Sequence, residues 1–407
     1  MPNRRINSNS LAHQTEVDLK KYLESSFTES LRQLIRVTIK TMIKVEMEDF
    51  RKEMRDLVGT IHFNGTYPRQ LMGPLGTIEN IPVPRFRDNP TEFIPETMNV
   101  FGEEKDKFMG IITEMHRLGI SQRKIKQLAA TCFKTTISAN RVGAVYKTLA
   151  DQESLKVNTT ALTDDYKYLM ADGLWIKAKG YGWDDNKAVI LCVLGVKPDG
   201  KRTILGFAVV REESYEAWHD LLLSLKKRGM SGGNLQLIIS DDGAGFAGAV
   251  TQLFPTVKRQ ICIVHKMRNV LGKTKHKNKP AMAEDLKVAY HQETRKDFLL
   301  QAQSLCKKWY LLEPKAIDSF KHHLMETTTY FDFDREIWHA IRTNNILERE
   351  FRELRRRIKV MDHSFNNTQS ATRYTGSLIN YLNQNYPAVH YPKLHTNPWH
   401  YLCQSRM

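Results

Sequence analysis

Cysteine is scarce in this sequence, with five residues in 407, at positions 132, 192, 262, 306 and 403. An odd number at wide spacing argues against a disulfide framework and favours a reducing compartment. The sequence also lacks an apolar run near the roughly 18 residues of a membrane span. Its basic first residues, MPNRRINSNS, are not followed by the apolar segment of a secretory signal. These absences predict a soluble, cytoplasmic protein with no membrane partner.

Acidic residues are in the minority, because 61 Lys and Arg face 45 Asp and Glu and leave a net charge of +16. Such an excess indicates a polyanionic partner. Nucleic acid is the first candidate, since each neutralised phosphate releases a condensed counterion. The alternative is a generally basic protein with no such partner, which charge alone does not exclude. In a bacterium, DNA binding would place the protein near the nucleoid.

The first hundred residues divide into a helical part and an extended part. Residues 16–58 predict one long helix or two, because apolar residues recur every three or four positions. This stripe either packs on its own domain or mediates dimerisation, and the spacing does not separate the two. Residues 59–100 are rich in Gly, Pro and Asn and predict short strands or a linker. The stripe consists of Ile35, Ile39, Ile43, Met47, Phe50, Met54 and Leu57.

Three helices are predicted between residues 101 and 155, and Ser121 and Ser138 can cap the second and third. A short second helix before a capped third one is typical of a helix-turn-helix. A plain three-helix packing unit would show the same spacing. If the unit binds DNA, its contacts are expected from the basic residues of the second and third helices, Arg123, Lys124, Arg141 and Lys147.

From residue 166 the pattern changes to apolar, β-branched strands separated by WDDN and PDG turns. A helix ending at Gly229 follows, then a buried strand, a short helix and another strand. This order predicts an α/β fold with a ribonuclease-H-like sheet. Residues 266–340 show no strand pattern and predict a helical insertion. The five strand segments are YKYLMADGLWIKAKG (166–180), KAVILCVLGV (187–196), RTILGFAVV (202–210), NLQLIIS (234–240) and RQICIVH (259–265).

Two aspartates occupy positions where the first and fourth strands would bring them together. Asp172 lies inside the first strand between apolar neighbours, and a carboxylate there is costly without a partner. Asp241 directly follows the fourth strand, which is the parallel neighbour of the first in a ribonuclease-H-like sheet. Either could instead be an ordinary surface or turn residue, and Asp242 competes with Asp241 for the same role.

A third acid is expected from a helix near residues 345–359. Its apolar stripe leaves Glu348 at the border of the buried face, where a carboxylate could reach the sheet edge. Hydrolysis or transfer of a phosphodiester uses two divalent cations about 4 Å apart, held by carboxylates. We therefore expect Mg²⁺, for which Mn²⁺ can substitute. The alternative is an exposed helix with Glu–Arg pairs. Arginines of the same helix could contact phosphates: Arg352, Arg355 and Arg356.

Cys262 and His265 form a Cys-x-x-His motif in the predicted fifth strand. Structural zinc normally needs four ligands, and no second pair occurs at motif spacing. We therefore expect no zinc. Cys262 is expected to pack as a small buried residue, and His265 to stand near the active-site edge in a supporting role.

Several of these segments together resemble the Mutator-type transposases of bacterial insertion sequences. The resemblance covers roughly residues 59–380 and depends on the number and order of its segments. These are GTIENIPVPRFRD (76–88), RLGISQRKI (117–125), ADGLWIKAKG (171–180), DGKRTILGF (199–207), SYEAWHDLLLSLKKRG (214–229), SDDGAGF (240–246), QICIVHKMRNVL (260–271) and RTNNILEREFRELRRR (342–357).

The resemblance implies a DNA-cutting triad at Asp172, Asp241 and Glu348, and it places the family's Cys-x-x-His pair on Cys262 and His265. It also implies a helical insertion before the glutamate and an N-terminal part that binds terminal inverted repeats. The chain departs from the family's pattern in two places. It has one threonine before the asparagines of the last motif, and it has Gly243 where a histidine is frequent.

The sequence therefore predicts a transposase that nicks element ends and transfers 3′-hydroxyl ends to target DNA, acting on DNA as a homodimer or larger homo-oligomer. The alternatives are a catalytically inactive, transposase-derived DNA-binding protein and a nuclease without joining activity. The intact set of three acids favours the enzyme. The predicted regions are a helical N-terminal region (1–58), an extended region (59–100), a helix-turn-helix-like domain (101–155), the first part of the core (160–265), a helical insertion (266–340), the final core helix with its extension (341–380) and a tail (381–407).

Overall fold

The computed structural model describes residues 8–73, 76–87, 93–133, 137–178, 187–360, 364–365 and 367–385. The chain forms two compact units, residues 1–146 and residues 147–407. The predicted WDDN turn (183–186) and most of the predicted tail, from residue 386 onward, lie outside the described residues. Among those described, no helix combines the length and apolar character needed to cross a membrane.

The first unit begins with one continuous helix, α1 (Ser8–Val58), followed by an antiparallel hairpin of β1 (His62–Gly73) and β2 (Gly76–Arg87). The apolar stripe of α1 packs on this hairpin, where Ile39 and Ile43 meet Ile81 and Val83. The stripe thus packs within its own domain, one of the two roles predicted for it, and the dimerisation role stays a prediction. Leu57, at the end of the predicted stripe, is exposed instead, because it lies beyond the hairpin core.

Three helices complete the first unit: α2 (Glu96–Arg117), α3 (Gln122–Phe133) and α4 (Ala139–Thr159), of which α4 continues past residue 146 into the second unit. The predicted caps are confirmed. Ser121 Oγ accepts from Lys124 N at 3.4 Å, and Ser138 Oγ accepts from Arg141 N at 3.2 Å. The three helices share an apolar core of Phe108, Met109, Ile112, Ile125, Ala129, Ile137 and Val142.

The second unit is organised around a mixed sheet. The predicted element order is confirmed: β3 (Tyr168–Ala178), β4 (Lys187–Val196), β5 (Arg202–Val210), α5 (Tyr215–Lys227), β6 (Leu237–Ser240), α6 (Ala244–Leu253) and β7 (Lys258–Ile261). The first three strands form an antiparallel meander, and β6 pairs parallel with β3 while β7 pairs parallel with β6. The strand order across the sheet is therefore β5-β4-β3-β6-β7.

Helices α5 and α6 cover one face of this sheet. Alternate residues of β3, among them Leu169 and Ala171, face these helices, and the residues between them, including Asp172, face the other way. Trp218 of α5 stacks edge-on against Phe246 of α6, with ring centroids 4.9 Å apart. This apolar layer fixes the start of α5 and the start of α6 relative to β3.

The prediction of a fifth strand over RQICIVH is wrong for the second half of that segment. Strand β7 ends at Ile261, and Ile263 already begins helix α7 (Ile263–Lys273), with Cys262 at its N-cap. Cys262 N still donates to Ser240 O at 2.7 Å, but its own carbonyl accepts from Lys266 N at 3.0 Å, so the backbone changes from sheet to helix there. An apolar run of this length does not distinguish a buried strand from a buried helix start.

Residues 266–340, all of which the structure describes, contain helices and short 3₁₀ turns but no strand, as predicted. Helix α12 (Asn345–Val360) buries the predicted stripe of Leu347, Phe351, Leu354 and Ile358. The remaining elements are α8 (Lys279–Tyr290), α9 (Arg295–Trp309), α10 (Pro314–Lys321), α11 (Trp338–Ile341), β8 (Ser364–Phe365), which pairs with β3, and α13 (Thr368–Asn385).

Helix α13 packs against β5 and α4. Asn383 exchanges two hydrogen bonds with the Ile204 backbone, at 2.9 and 3.0 Å. At the contact with α4, a Cβ on Gly376 would lie 2.3 Å from Ser154 Oγ and 2.5 Å from Ser154 Cα. Only glycine fits this crossing without movement of a helix.

We expect Gly376→Ala to lower the free energy of unfolding by about 1–3 kcal/mol, because the added methyl group overpacks the contact of α13 with α4. Urea denaturation of the full chain measures this. Gly272→Ala in α7 is the control, since a Cβ there has no atom within 4 Å. Equal stability of the two variants would show that the close crossing does not exist.

Candidate active site

The three acids predicted for catalysis lie on three elements that meet at one edge of the sheet. Asp172 lies in β3 opposite Cys192 of β4, and Asp241 is the first residue after β6. Since β3 and β6 run parallel, both aspartates emerge at the same end of the sheet. Glu348 lies in the first turn of α12, which packs against β3.

Asp172, Glu348 and His265 form the tightest part of this group, with one ligand atom of each within 4.8 Å of the others. Asp241 is not in that set but is close enough to act electrostatically. Burial, opposed by the positive charge of His265 and reinforced by the negative charges of Asp241 and Glu348, raises the pKa of Asp172 to about 6. The site therefore concentrates negative charge around a largely buried carboxyl group.

His265 lies in the first turn of α7 rather than at a strand end, and this placement directs it toward α12. Its Nε2 is 3.4 Å from Glu348 Oε1, and Arg268, one turn further along α7, approaches the same oxygen with its Nη1 at 3.2 Å. Burial alone would lower the pKa of His265, but Cys262, Asp172 and Glu348 outweigh it and raise the pKa. The α7 side of the site thus supplies positive charge to Glu348.

Asn344 connects the elements that carry these groups, and sequence reasoning missed it. It is fully buried directly before α12, where its Nδ2 donates to Ala171 O at 2.9 Å and its backbone N–H donates to Cys262 Sγ at 3.3 Å. The start of α12 is thereby joined to the residue before Asp172 and to the start of α7. Cys262 is fully buried, as expected, but it also serves as an acceptor. The double asparagine in RTNNILERE was the available signal.

Asp242, the alternative to Asp241, belongs to a different cluster. Its Oδ2 accepts from Lys266 Nζ at 3.2 Å and from His322 Nδ1 at 3.1 Å, and its Oδ1 accepts from His323 Nδ1 at 2.7 Å. A left-handed backbone at His323, with φ of 48°, brings the two adjacent imidazoles onto one carboxylate. Burial alone would raise the pKa of Asp242, but these hydrogen bonds and the Lys266 charge hold it below its usual value.

The two imidazoles and the Asp242 carboxylate also have one ligand atom each within 4.8 Å. The Lys266 ammonium, 1% exposed, already neutralises this carboxylate and donates to the His322 carbonyl as well. The cluster therefore ties the end of β6 to α7 and to the segment after α10. Two neighbouring aspartates thus face different surroundings, one with the other acids and one with cations.

The basic residues predicted to contact DNA are exposed on their elements. Arg123 and Lys124 lie in the first turn of α3, and Arg141 and Lys147 lie on α4. On α12 the predicted residues are exposed too, and Arg356 pairs with Glu353 at 2.9 Å. The α12 residues in question are Arg352, Arg355 and Arg356.

Comparisons with known proteins identify relatives across most of the chain. A model of the family described as "Transposase, Mutator family" matches residues 6–388. The transposase for insertion sequence element ISRM5 of Rhizobium meliloti is 28% identical over 362 residues, covering 88% of this chain and 89% of that protein. The transposase for element IS256 in transposon Tn4001 of Staphylococcus aureus is 28% identical over 323 residues, covering 78% and 80%.

A shorter match, 32% identical over 196 residues, links 48% of this chain to 59% of the transposase for element IS6120 of Mycolicibacterium smegmatis. Among solved structures, a chain of the Drosophila P element transposase strand transfer complex aligns over 70% of this chain and 82% of its own. Its TM-score of 0.29 and identity of 14% are too low to indicate a shared fold.

We expect Asp242→Asn and Asp172→Asn to change stability in opposite directions at pH 7. The folded-state pKa of Asp242 is lowered, so its ionised form stabilises the fold above its unfolded pKa, and its loss leaves Lys266 buried without a counter-charge, at a cost of about 2–4 kcal/mol. The folded-state pKa of Asp172 is raised to about 6, so its ionisation at pH 7 costs stability, and Asp172→Asn removes that cost.

Urea denaturation of both variants beside the wild type measures the difference. The assignment of the two aspartates to separate clusters is wrong if Asp242→Asn leaves stability unchanged while Asp172→Asn lowers it.

Proposed function

The chain belongs to the Mutator family of transposases, and from that premise we propose that it binds the terminal inverted repeats of an insertion sequence, nicks the element ends and joins them to target DNA. The observation that carries the proposal is the convergence of Asp172, Asp241 and Glu348 at one sheet edge. These acids come from two parallel strands and a helix more than a hundred residues further along the chain. A catalytically inactive relative would be free to lose any of them.

We further propose that the core is ribonuclease-H-like, with residues 266–340 as a helical insertion. The support is the strand order β5-β4-β3-β6-β7, in which an antiparallel meander is continued by two parallel strands. In such a sheet the ends of β3 and β6 adjoin, and this is where the two aspartates lie. We also propose that α2, α3 and α4 act as a helix-turn-helix. The support is the serine caps of α3 and α4 and the exposed basic residues on these two helices.

The donor groups fit hard divalent cations. Asp172, Asp241 and Glu348 offer carboxylate oxygens, the ligands that Mg²⁺ prefers. We propose that these three residues hold two Mg²⁺ ions, with Mn²⁺ able to substitute, and we assign no zinc. When bound, such ions activate the attacking oxygen and stabilise the leaving oxygen of an in-line displacement.

The protein's own groups would position these acids and the DNA. His265 Nε2 lies 3.4 Å from Glu348 Oε1 and would orient that carboxylate, as partners of metal ligands commonly do. Arg268 contacts the same oxygen, is exposed, and could also meet a DNA phosphate. Nicking would break a phosphodiester bond with water as the nucleophile and leave a 3′-hydroxyl. Joining would form a new phosphodiester bond between that hydroxyl and a phosphate of the target strand. The target-strand oxygen previously bonded to that phosphate would leave.

We expect Asp172→Asn, Asp241→Asn and Glu348→Gln each to abolish nicking and joining while DNA binding is retained. The reason is that the acids hold the cations while the basic surfaces hold DNA. Purified protein, element-end DNA and Mg²⁺, with nicked and joined products resolved on a gel, provide the test. Glu353→Gln is the matched control, since Glu353 lies on the same helix and pairs with Arg356.

Full cleavage by any of the three variants would remove that residue from the site. Wild-type protein that nicks paired ends but never joins them would favour a nuclease. Wild-type protein that binds the repeats and does neither would favour the inactive DNA-binding protein.

We expect the double variant Arg141→Ala/Lys147→Ala to lose about 10–100-fold in affinity for terminal-repeat DNA, with a much smaller loss on random DNA, if α4 reads bases in the major groove. Binding titrations over a range of salt concentrations separate base contacts from the phosphate term. Arg51→Ala/Lys52→Ala on α1 removes the same charge from exposed positions and is the control. Equal losses on both DNAs would contradict a reading role for α4.

A further inference from the structure

Glu213 is a fourth acid beside the candidate active site, and none of the motifs above includes it. It lies directly before Ser214, the N-cap of α5, whose Oγ accepts from Ala217 N at 3.2 Å. This end of α5 faces the edge of the sheet at which β3 and β6 present Asp172 and Asp241. The neighbouring Glu212 is likewise exposed and provides a natural comparison.

The carboxyl group of Glu213 occupies space that exists only because residue 173 is glycine. A Cβ on Gly173 would lie 2.4 Å from Glu213 Oε1 and 2.7 Å from its Cδ. Glu213 therefore touches the β3 backbone at the residue immediately after Asp172.

Two further contacts hold Glu213 in place. The indole of Trp218, which is 3% exposed, lies in the first turn of α5 close enough to the Glu213 carboxylate to lower its pKa. The backbone of Ser214 and Tyr215 lies against Gly245, where a Cβ would be 2.8 Å from Tyr215 N. Because Gly245 follows the Asp241 turn closely, the start of α5 is packed between β3 and that turn.

The charges around Glu213 agree with this position. Partial burial of its carboxyl end, together with the negative charges of Asp241 and Asp172, raises the pKa of Glu213 to about 7, while His265 opposes the shift. Although the residue as a whole is exposed, its carboxylate is thus close enough to both aspartates to be repelled by them.

We propose that Glu213 is a fourth carboxylate of the metal centre, contacting through bound water the divalent cation held by Asp172 and Asp241. The inference rests on the proposed two-metal function. It assigns Glu213 to cation binding, with the gap at Gly173 giving its carboxylate access from the α5 side of the sheet.

The test is Mn²⁺ binding to the full-length protein without DNA, followed by electron paramagnetic resonance. Glu213→Gln keeps the shape of the side chain and should weaken Mn²⁺ binding about 10-fold or more, as loss of a partner in a metal site commonly does. Glu213→Asp should restore part of the affinity. Glu212→Gln is the matched control and should bind as the wild type does. Thermal unfolding should show no loss of stability in Glu213→Gln, because a repelled charge is removed.

Gly173→Ala gives an independent arm, since its methyl group would displace the Glu213 carboxylate. The double variant Gly173→Ala/Glu213→Gln should bind Mn²⁺ no more weakly than the weaker-binding of the two single variants. The reason is that both substitutions remove the same contribution, that of the Glu213 carboxylate. Wild-type affinity in Glu213→Gln, with binding still abolished by Asp172→Asn, would overturn this inference and leave the proposed function standing. Mn²⁺ binding that Asp172→Asn does not affect would instead overturn the proposed function.

Discussion

Repulsion between carboxylates is the constraint on which the rest of the second unit depends. Asp172, Asp241, Glu348 and Glu213 come from four different parts of the chain. Burial and the charges of Asp241 and Glu348 raise the pKa of Asp172, and burial and the charges of Asp241 and Asp172 raise the pKa of Glu213. Such a group keeps its geometry only if the backbones that carry it are fixed by other forces. The fixing contacts are apolar and polar but carry little charge: the parallel pairing of β3 with β6, the layer of α5 and α6, and the fully buried Asn344 that joins the start of α12 to β3 and α7. These contacts therefore hold together elements whose carboxylates repel one another.

The pair Asp241 and Asp242 shows how surroundings rather than residue type determine a role. The two side chains diverge at the end of β6, and only Asp242 turns toward Lys266, His322 and His323. A carboxylate with three donors is stabilised in its charged form and serves as a structural anchor. Asp172 is buried and has two carboxylates nearby, and its charged form is therefore destabilised although the Gly173 N–H donates to it.

Much of the architecture could be predicted from local sequence patterns, because those patterns reflect which residues are buried. The β-branched strands, the stripe of α12 and the serine caps of α3 and α4 are each set by residues close together in sequence, and each is confirmed. The start of α7 was mispredicted because apolar residues continue from β7 into the helix without a break. Asn344 and Glu213 were missed for a different reason. Their roles depend on partners about 80 to 170 residues away, or on a glycine gap in another strand, and neither leaves a periodic signal.

The local charge of the site is opposite to that of the whole chain, and this contrast bears on how DNA would be handled. A net charge of +16 attracts a polyanion to the protein as a whole. At the sheet edge, however, a DNA phosphate would meet a group of carboxylates and be repelled. Arg268 reduces that repulsion at Glu348, and His265 reduces it at Glu348 and Asp172, but two cations do not balance the whole group of carboxylates. Under the proposed function, a phosphate can therefore approach Asp172 and Asp241 closely only when cations lie between them. Cation binding and productive DNA approach would then be coupled by the same repulsion that the fold has to withstand, and DNA held by the basic surfaces alone would remain uncut.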